Sequence, residues 1–402
     1  MHIVCIHQHY STPEGCGCVR SYEFTKKWVE AGHKVTVITG HWNRSGFKLD
    51  KGLIQRQSRD GIGIILVGAK YKNEQSFFFR ILVFLHFMFF STYILLRTKK
   101  VDVVYAISTP LTVGIPAVIN KFFKRTPFVF EVEDQWPEIP IEMGILKSRM
   151  LGKILLWLEK YLYKHADSLV ALSPGMADGM RKVMKVQKPI AVIPNGCVSG
   201  MFEENVDGSV IREKYGWGDK LVFLHAGSMG IVNSLNFILD AGLKLQDHPE
   251  ILFVLFGEGS QKPALEQRLK ELGLTNVEIR PSIPQNELPS LYAAVDVGMV
   301  IIGQFPIIEH NSASKFFDTL ISGTPVLLNY SGWQREVIES GHAGYGTTLY
   351  DLDEFVDRVL YINSHREELL ELARNARQIG LDKFDREKLA QQALDEIVAL
   401  KP

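Results

Sequence analysis

The stretch SASKFFDTLISGTPVLL, residues 312–328, holds a cation and a carboxylate at a spacing that can do chemistry. Lys315 and Asp318 stand three residues apart, which on a helix puts them on one face, while Phe317, Leu320 and Ile321 mark the flank that packs. Ser312 or Asn311 can cap the start, and a helix start with backbone N–H groups to spare attracts anions. A lysine there can meet phosphate oxygens, and a carboxylate one turn on can accept hydrogen bonds from hydroxyls. The bland alternative is a solvated acid–base pair that suits the helix dipole.

Further candidates fall in loops. HQHY offers His7 and His9, and EGCGCVR brings glycines, Gly17 among them, close to Arg20, where backbone and guanidinium can both approach phosphate. EVEDQWPE holds Glu133 and Asp134 at a strand end; adjacent side chains there point opposite ways, so one of the two faces a substrate, with Asp134 placed ahead of Glu133. GEGSQK contributes Gly257, Glu258 and Lys262. Cys16 and Cys18 invite a metal reading, but zinc sites want a second such pair or histidines at fixed spacing, so no metal is expected. Four scattered cysteines are no disulfide framework and suit a reducing compartment.

The elements that must hold these loops are legible as apolar runs alternating with helical patterns. HIVCI, KVTVIT, IGIILV, VDVVYA, PFVFEV, SLVALS and IAVIPN form one series; KLVFLHAG, ILFVLFGEG, NVEIRPSI, VDVGMVII and TPVLLN form another. Strands separated by helices imply parallel sheets covered on both faces, here two doubly wound α/β halves meeting near residue 200. Ligands of such sheets bind beyond the carboxyl ends of the strands, where the candidate loops lie.

Together the halves resemble the retaining family-4 glycosyltransferases of the GT-B fold, two Rossmann-like domains facing across a cleft. The resemblance rests on the opening loop with VRSYEFTKKWVEAGHKVTVITG, then GEG, LPSLYAAVDVGMV and SKFFDTLISGTPVLL in order, and covers nearly the whole chain. It implies an acceptor-binding domain over 1–198, a nucleotide-sugar domain over 199–380, and a closing helix, 381–402, able to cross to the first domain. The resemblance puts Asp318 on the nucleotide ribose, Lys315 on the departing diphosphate, and Glu133 or Asp134 beside the acceptor. Ser314, Gly257, Glu258, Ser282 and Ile283 become donor contacts, with Gly17, Arg20 and Lys262 as further phosphate candidates.

Two departures stand out. The customary arginine and lysine of the family fall on Ser228 and Asn233, which makes Lys315 and Arg20 the leading substitutes; and the first acid of the usual pair falls on His310, with Glu309 one residue early. The NSASKFFD form resembles a subgroup serving bacterial O-antigen or capsule synthesis, including transferases of N-acetylated 6-deoxy sugars such as fucosamine. A nucleotide-sugar donor, UDP-linked, and a lipid-linked saccharide acceptor follow as expected partners, with no metal or other cofactor. A nonhydrolysing UDP-sugar epimerase and a noncatalytic glycan-assembly subunit are the competing readings.

Composition sets the remaining bounds. Forty-five basic residues balance forty-five acidic ones, which gives no support to nucleic-acid binding. Between Arg80 and Arg97 lie sixteen uncharged, mostly apolar residues, short of the roughly 20 of a spanning helix. Flanked by Lys99 and Lys100, the segment 77–100 reads as a helix lying in a membrane interface, so a peripheral location on the cytoplasmic side is expected. The N-terminus reads as a first strand rather than an export signal.

Overall fold

The computed structural model describes residues 1–15, 17–42, 45–48, 52–71, 77–185, 188–202 and 206–401. Cys16, one half of the sulfur pair considered above, lies outside them. The chain divides into two compact units, Met1–Pro194 with Arg386–Pro402, and Asn195–Asp385. The boundary therefore falls slightly before residue 198, and the last seventeen residues belong with the first unit.

The first unit holds one sheet of β1 (His2–His7), β2 (Lys34–Trp42), β3 (Ile54–Arg59), β4 (Ile62–Tyr71), β5 (Val103–Ser108), β6 (Phe128–Val132), β7 (Ser168–Ala171) and β8 (Ala191–Val192). Its order is β3-β4-β2-β1-β5-β6-β7-β8. All pairings are parallel except β3 on β4. Every residue of β1, β5 and β6 is buried, as a sheet covered on both faces requires. Alternation does the sorting: Val4 and Ile6 join one core cluster, Ile3 and Cys5 the other. The long apolar helix Phe77–Arg97 covers the first face, and the helices Arg20–Glu30 and Arg386–Val398 cover the second. In that second layer Trp28 Nε1 donates to the Ala390 carbonyl at 3.1 Å.

The second unit holds β9 (Leu221–Ala226), β10 (Ile251–Phe256), β11 (Val277–Arg280), β12 (Val297–Val300), β13 (Val326–Leu328) and β14 (Gly344–Gly346), all parallel, in the order β11-β10-β9-β12-β13-β14. The chain leaves β9 toward β10 and β11, then returns to lay β12 on the other side of β9. That reversal opens a crevice at the carboxyl ends of β9 and β12. The first unit has the same reversal between β1 and β5.

Candidate active site

In the second unit the helix Ser314–Ile321 runs between β12 and β13, with Phe316, Phe317, Leu320 and Ile321 fully buried. Phe317 lies 5.1 Å from the Phe384 ring, and Phe316 lies 5.9 Å from Trp333. This aromatic packing fixes the rotation of the helix and leaves Lys315 and Asp318 half-buried on its other flank. The start is built differently from the sequence expectation. Ala313 is the N-cap and no side chain caps it, because Asn311 Oδ1 accepts from the Ala313 N–H at 3.0 Å and Ser312 is held by Asn195. Asn195 donates through its backbone N–H to Ser312 Oγ at 3.1 Å and through its side-chain amide to the Ser312 carbonyl. Gly323, at φ 71°, then turns the chain into β13.

Lys315 reaches over the carboxyl end of β9. Its Nζ donates to Asn233 Oδ1 at 2.8 Å and lies 3.4 Å from Nε2 of His225, a fully buried residue of that strand. Burial pulls the Lys315 ammonium down to about 7, and burial with the lysine overhead pushes the His225 imidazole well below its usual range. The lysine therefore stands beside the position where the family's missing lysine was expected, with Asn233 holding it there. Close approach depends on small residues. A Cβ on Gly227 would come within 2.9 Å of Lys315 Cε, and one on Gly257 would sit 1.8 Å from the Gly227 carbonyl oxygen. Backbone bonds stitch these two loops together, Gly227 N–H to Phe256 O at 2.8 Å and Met229 N–H to Glu258 O at 2.9 Å.

The other donor candidates spread along the same edge. Ser314 opens the site helix, Gly257 and Glu258 follow β10, and Ser282 and Ile283 follow β11 in an open loop. Asp318 faces Tyr292, whose hydroxyl burial and that carboxylate together hold in the protonated form. Lys262 pairs with Glu258 at 2.7 Å, one turn apart. Glu309, the displaced acid, accepts from the Ser331 N–H at 3.1 Å.

In the first unit, several sequence expectations change. Arg20 is buried, not offered to a phosphate: its guanidinium pairs with Glu131, donates to the Ile193 carbonyl at 2.9 Å and contacts the Pro194 carbonyl at 3.4 Å. Tyr105 also donates to Glu131, a carboxylate with no exposure, so the arginine neutralises a charge inside the core. Gly17 packs against Ser11 and Trp42, where a Cβ would lie 2.2 Å from Ser11 Oγ. His9 is half-buried, and its ring meets Trp42 edge-on at 5.7 Å.

His7 ends β1 and sits at the reversal of that sheet. Its Nδ1 lies 2.8 Å from Ser21 Oγ and its Nε2 lies 3.7 Å from Glu133 Oε2. Burial drops His7 to about 3, so the ring is neutral, while burial and the neighbouring Glu131 push Glu133 well above the usual carboxylate range. Asp134 points elsewhere: it is exposed and accepts from Thr109 Oγ1 at 3.1 Å. The two adjacent acids thus diverge, and Glu133 is the one brought to the histidine. Glu131, His225 and Asn233 as a holder of Lys315 were missed by sequence reasoning. No cluster of three metal-ligating side chains exists among the described residues.

Comparison with known proteins fits this arrangement. Residues 18–196 match the glycosyl transferase 4-like domain, and residues 207–379 match the glycosyl transferases group 1 domain. The chain is 23% identical over 242 residues to the probable glycosyltransferase WbjE of Pseudomonas aeruginosa, covering 59% of this chain and 60% of that protein. It is 22% identical over 179 residues to the putative colanic acid biosynthesis glycosyl transferase WcaI of Escherichia coli K12, covering 43% and 44%. Both matches thus span less than two thirds of the relative. Among solved structures, sucrose-phosphate synthase from Thermosynechococcus elongatus superposes with a TM-score of 0.80 at 15% identity, over 99% of this chain and 98% of that one. Anabaena Alr3699/HepE in complex with UDP-glucose gives 0.71 at 17% identity, over 99% and 100%. WaaG, a glycosyltransferase involved in lipopolysaccharide biosynthesis, gives 0.71 at 16%, over 98% and 99%. These likenesses establish the GT-B fold.

Proposed function

The chain is built of two glycosyltransferase domains, 4-like then group 1, and we propose that it transfers a sugar from a UDP-linked donor, with retention, to a lipid-linked saccharide for a bacterial surface polysaccharide. The observation that carries the reading is Lys315, held by Asn233 above the end of β9 with Asp318 one turn away on the same helix. A preorganised ammonium there neutralises charge developing on the departing diphosphate. Asp318 accepts from the ribose hydroxyls, and uncapped first-turn backbone adds partial positive charge beside the phosphates. The complex of Anabaena Alr3699/HepE with UDP-glucose supports the choice of base, and the colanic acid role in the name of WcaI supports the choice of pathway.

On the acceptor side Glu133 takes the role, ahead of Asp134. Glu133, its carboxyl held well above the usual carboxylate range by burial and by Glu131, is placed to hold the acceptor hydroxyl and exchange its proton, with neutral His7 beside it. The donor sugar is an N-acetylated 6-deoxy hexose, the displaced acid of the usual pair being Glu309, held by the Ser331 backbone instead of being free for sugar hydroxyls. The enzyme needs no metal, and works on the cytoplasmic face of the membrane, with the helix Phe77–Arg97 lying in the interface.

A donor panel offered with membrane-derived lipid acceptors tests the reading. Transfer from a UDP-linked amino-deoxy sugar is the expected result, with Glu133→Gln losing about two orders of magnitude in rate and Asp134→Asn retaining most of it. Turnover of unmodified UDP-glucose alone would remove the sugar assignment, and UDP binding without transfer to any acceptor would favour a noncatalytic subunit.

A further inference from the structure

Opposite the candidate site, where β1, β2 and β4 begin, the first unit has a concavity of about 630 Å³. Six residues of β1 at roughly 3.3 Å each separate it from the catalytic edge, so it is a distinct place on the unit. Its wall includes His2, Lys34, Arg56, Arg97 and Lys99, and no carboxylate. His2 is neutral, its ring held by Thr36 Oγ1 at 2.9 Å and the Lys100 carbonyl at 3.1 Å, and its pKa lowered by burial and by Lys34. The other four are cations, and among the described residues none of them forms an ion pair with an acid. Asp102, the nearby acid, accepts from the His2 backbone N–H at 2.6 Å. A buried amide nitrogen of Gln57, in the same wall, has no acceptor among the described residues.

Four like charges around one hollow repel each other, and protein folds seldom leave such a cluster without an anion to answer it. The local helix dipole is answered as well. The carboxyl end of the helix Phe77–Arg97 points its carbonyls here, which disfavours an anion, but Lys124 Nζ covers Thr98 O at 2.8 Å and Leu95 O at 3.3 Å.

The same helix says which anion. Phe79, Leu82, Leu85, Phe89 and Tyr93, spaced by three or four residues, form one exposed apolar stripe, whereas Phe87, Ser91, Ile94 and Leu95 on the other flank are buried in the unit. Tyr93 belongs to both the stripe and the wall of the concavity, with the Arg97 guanidinium 5.3 Å from its ring. Apolar surface thus runs without interruption into a cationic hollow, the order that a bilayer presents from acyl chain to headgroup.

We propose that this concavity binds the phosphate-bearing headgroup of an anionic membrane lipid, which orients the first unit on the bilayer while the apolar stripe lies among the acyl chains. The inference rests on the interfacial reading of the helix but not on any transfer activity, and the two fail separately. Sedimentation of the full chain with phosphatidylcholine vesicles, with and without phosphatidylglycerol, tests it directly. The expected result is strong preference for the phosphatidylglycerol vesicles, reduced at least about tenfold by Arg56→Glu with Arg97→Glu, since each cation near such a surface matters. Leu85→Ser with Phe89→Ser should weaken binding to both vesicle types. Hydrogen exchange of the first unit, measured in parallel, should keep its core protection in all variants and reports that they are folded; Arg56→Gln with Arg97→Gln gives a milder version of the same test. Equal binding to both vesicle types, or full phosphatidylglycerol preference in the charge variants, overturns the proposal. So does saturable binding of inorganic phosphate that the charge variants abolish while vesicle preference persists, which would make the hollow a free-anion site.

Discussion

Half-buried against His225 and Asn233, the Lys315 ammonium sits near half-protonation at neutral pH, its pKa drawn down to about 7 by loss of hydration. A bound diphosphate restores the charged form, so above pH 7 binding takes up a proton. The free site is then increasingly neutral as pH rises, and affinity for UDP should fall between pH 7.5 and 9, by at most about tenfold per pH unit. Calorimetry across that range checks this; Lys315→Gln should give a flat profile. The pair Lys315 and Asp318 was legible because a spacing of three on an amphipathic helix is a local property. His225 was not, since a histidine inside LVFLHA carries no mark of the lysine that settles above it 90 residues later. Arg20 misled for a related reason. An arginine after a glycine-rich loop looks alike whether it faces solvent or core, and its partner Glu131 is 111 residues away.

At the level of elements, buried parallel strands announce themselves as apolar runs, and twelve of the fourteen strands among the described residues are legible that way. The two missed strands fail that rule for physical reasons. β3, IQRQSR, is a polar edge strand with alternating exposure, and β14 is the tripeptide GYG. The capping expectation at residue 312 failed because Asn195, from far upstream, engages Ser312 first. The Arg20–Glu131 pair ties the helix Arg20–Glu30 to β6 and to the turn after β8. Arg20→Ala strands a carboxylate in the core and should cost about 3–5 kcal/mol of stability, read by urea unfolding followed through Trp28. A loss below 1 kcal/mol would mean that the pair is not buried as described.

For the whole molecule, two doubly wound units follow from the strand–helix alternation alone, while the assignment of the closing helix does not. Arg386–Val398 buries Leu389, Ala393, Leu394 and Ile397 in the first unit, beside Trp28. An amphipathic pattern states that a helix needs a partner surface and is silent on which one. Deleting 386–402 should therefore destabilise the first unit by at least about 5 kcal/mol, counting roughly 1.5–3 kcal/mol for each large side chain uncovered, and leave unfolding of the second unit unmoved. Hydrogen exchange of the two units distinguishes this from a general loss. Lys315 and Asp318, the residues proposed to hold the donor, both lie in the second unit, so donor binding can be tested without the acceptor. Calorimetric titration of UDP and of uridine into the protein and its Lys315→Ala variant asks whether that lysine holds the diphosphate. The expected result is a roughly 10- to 100-fold weaker affinity for UDP in the variant, the scale of one charge-assisted contact, with uridine binding unchanged. Equal UDP affinity in the two proteins would contradict the account.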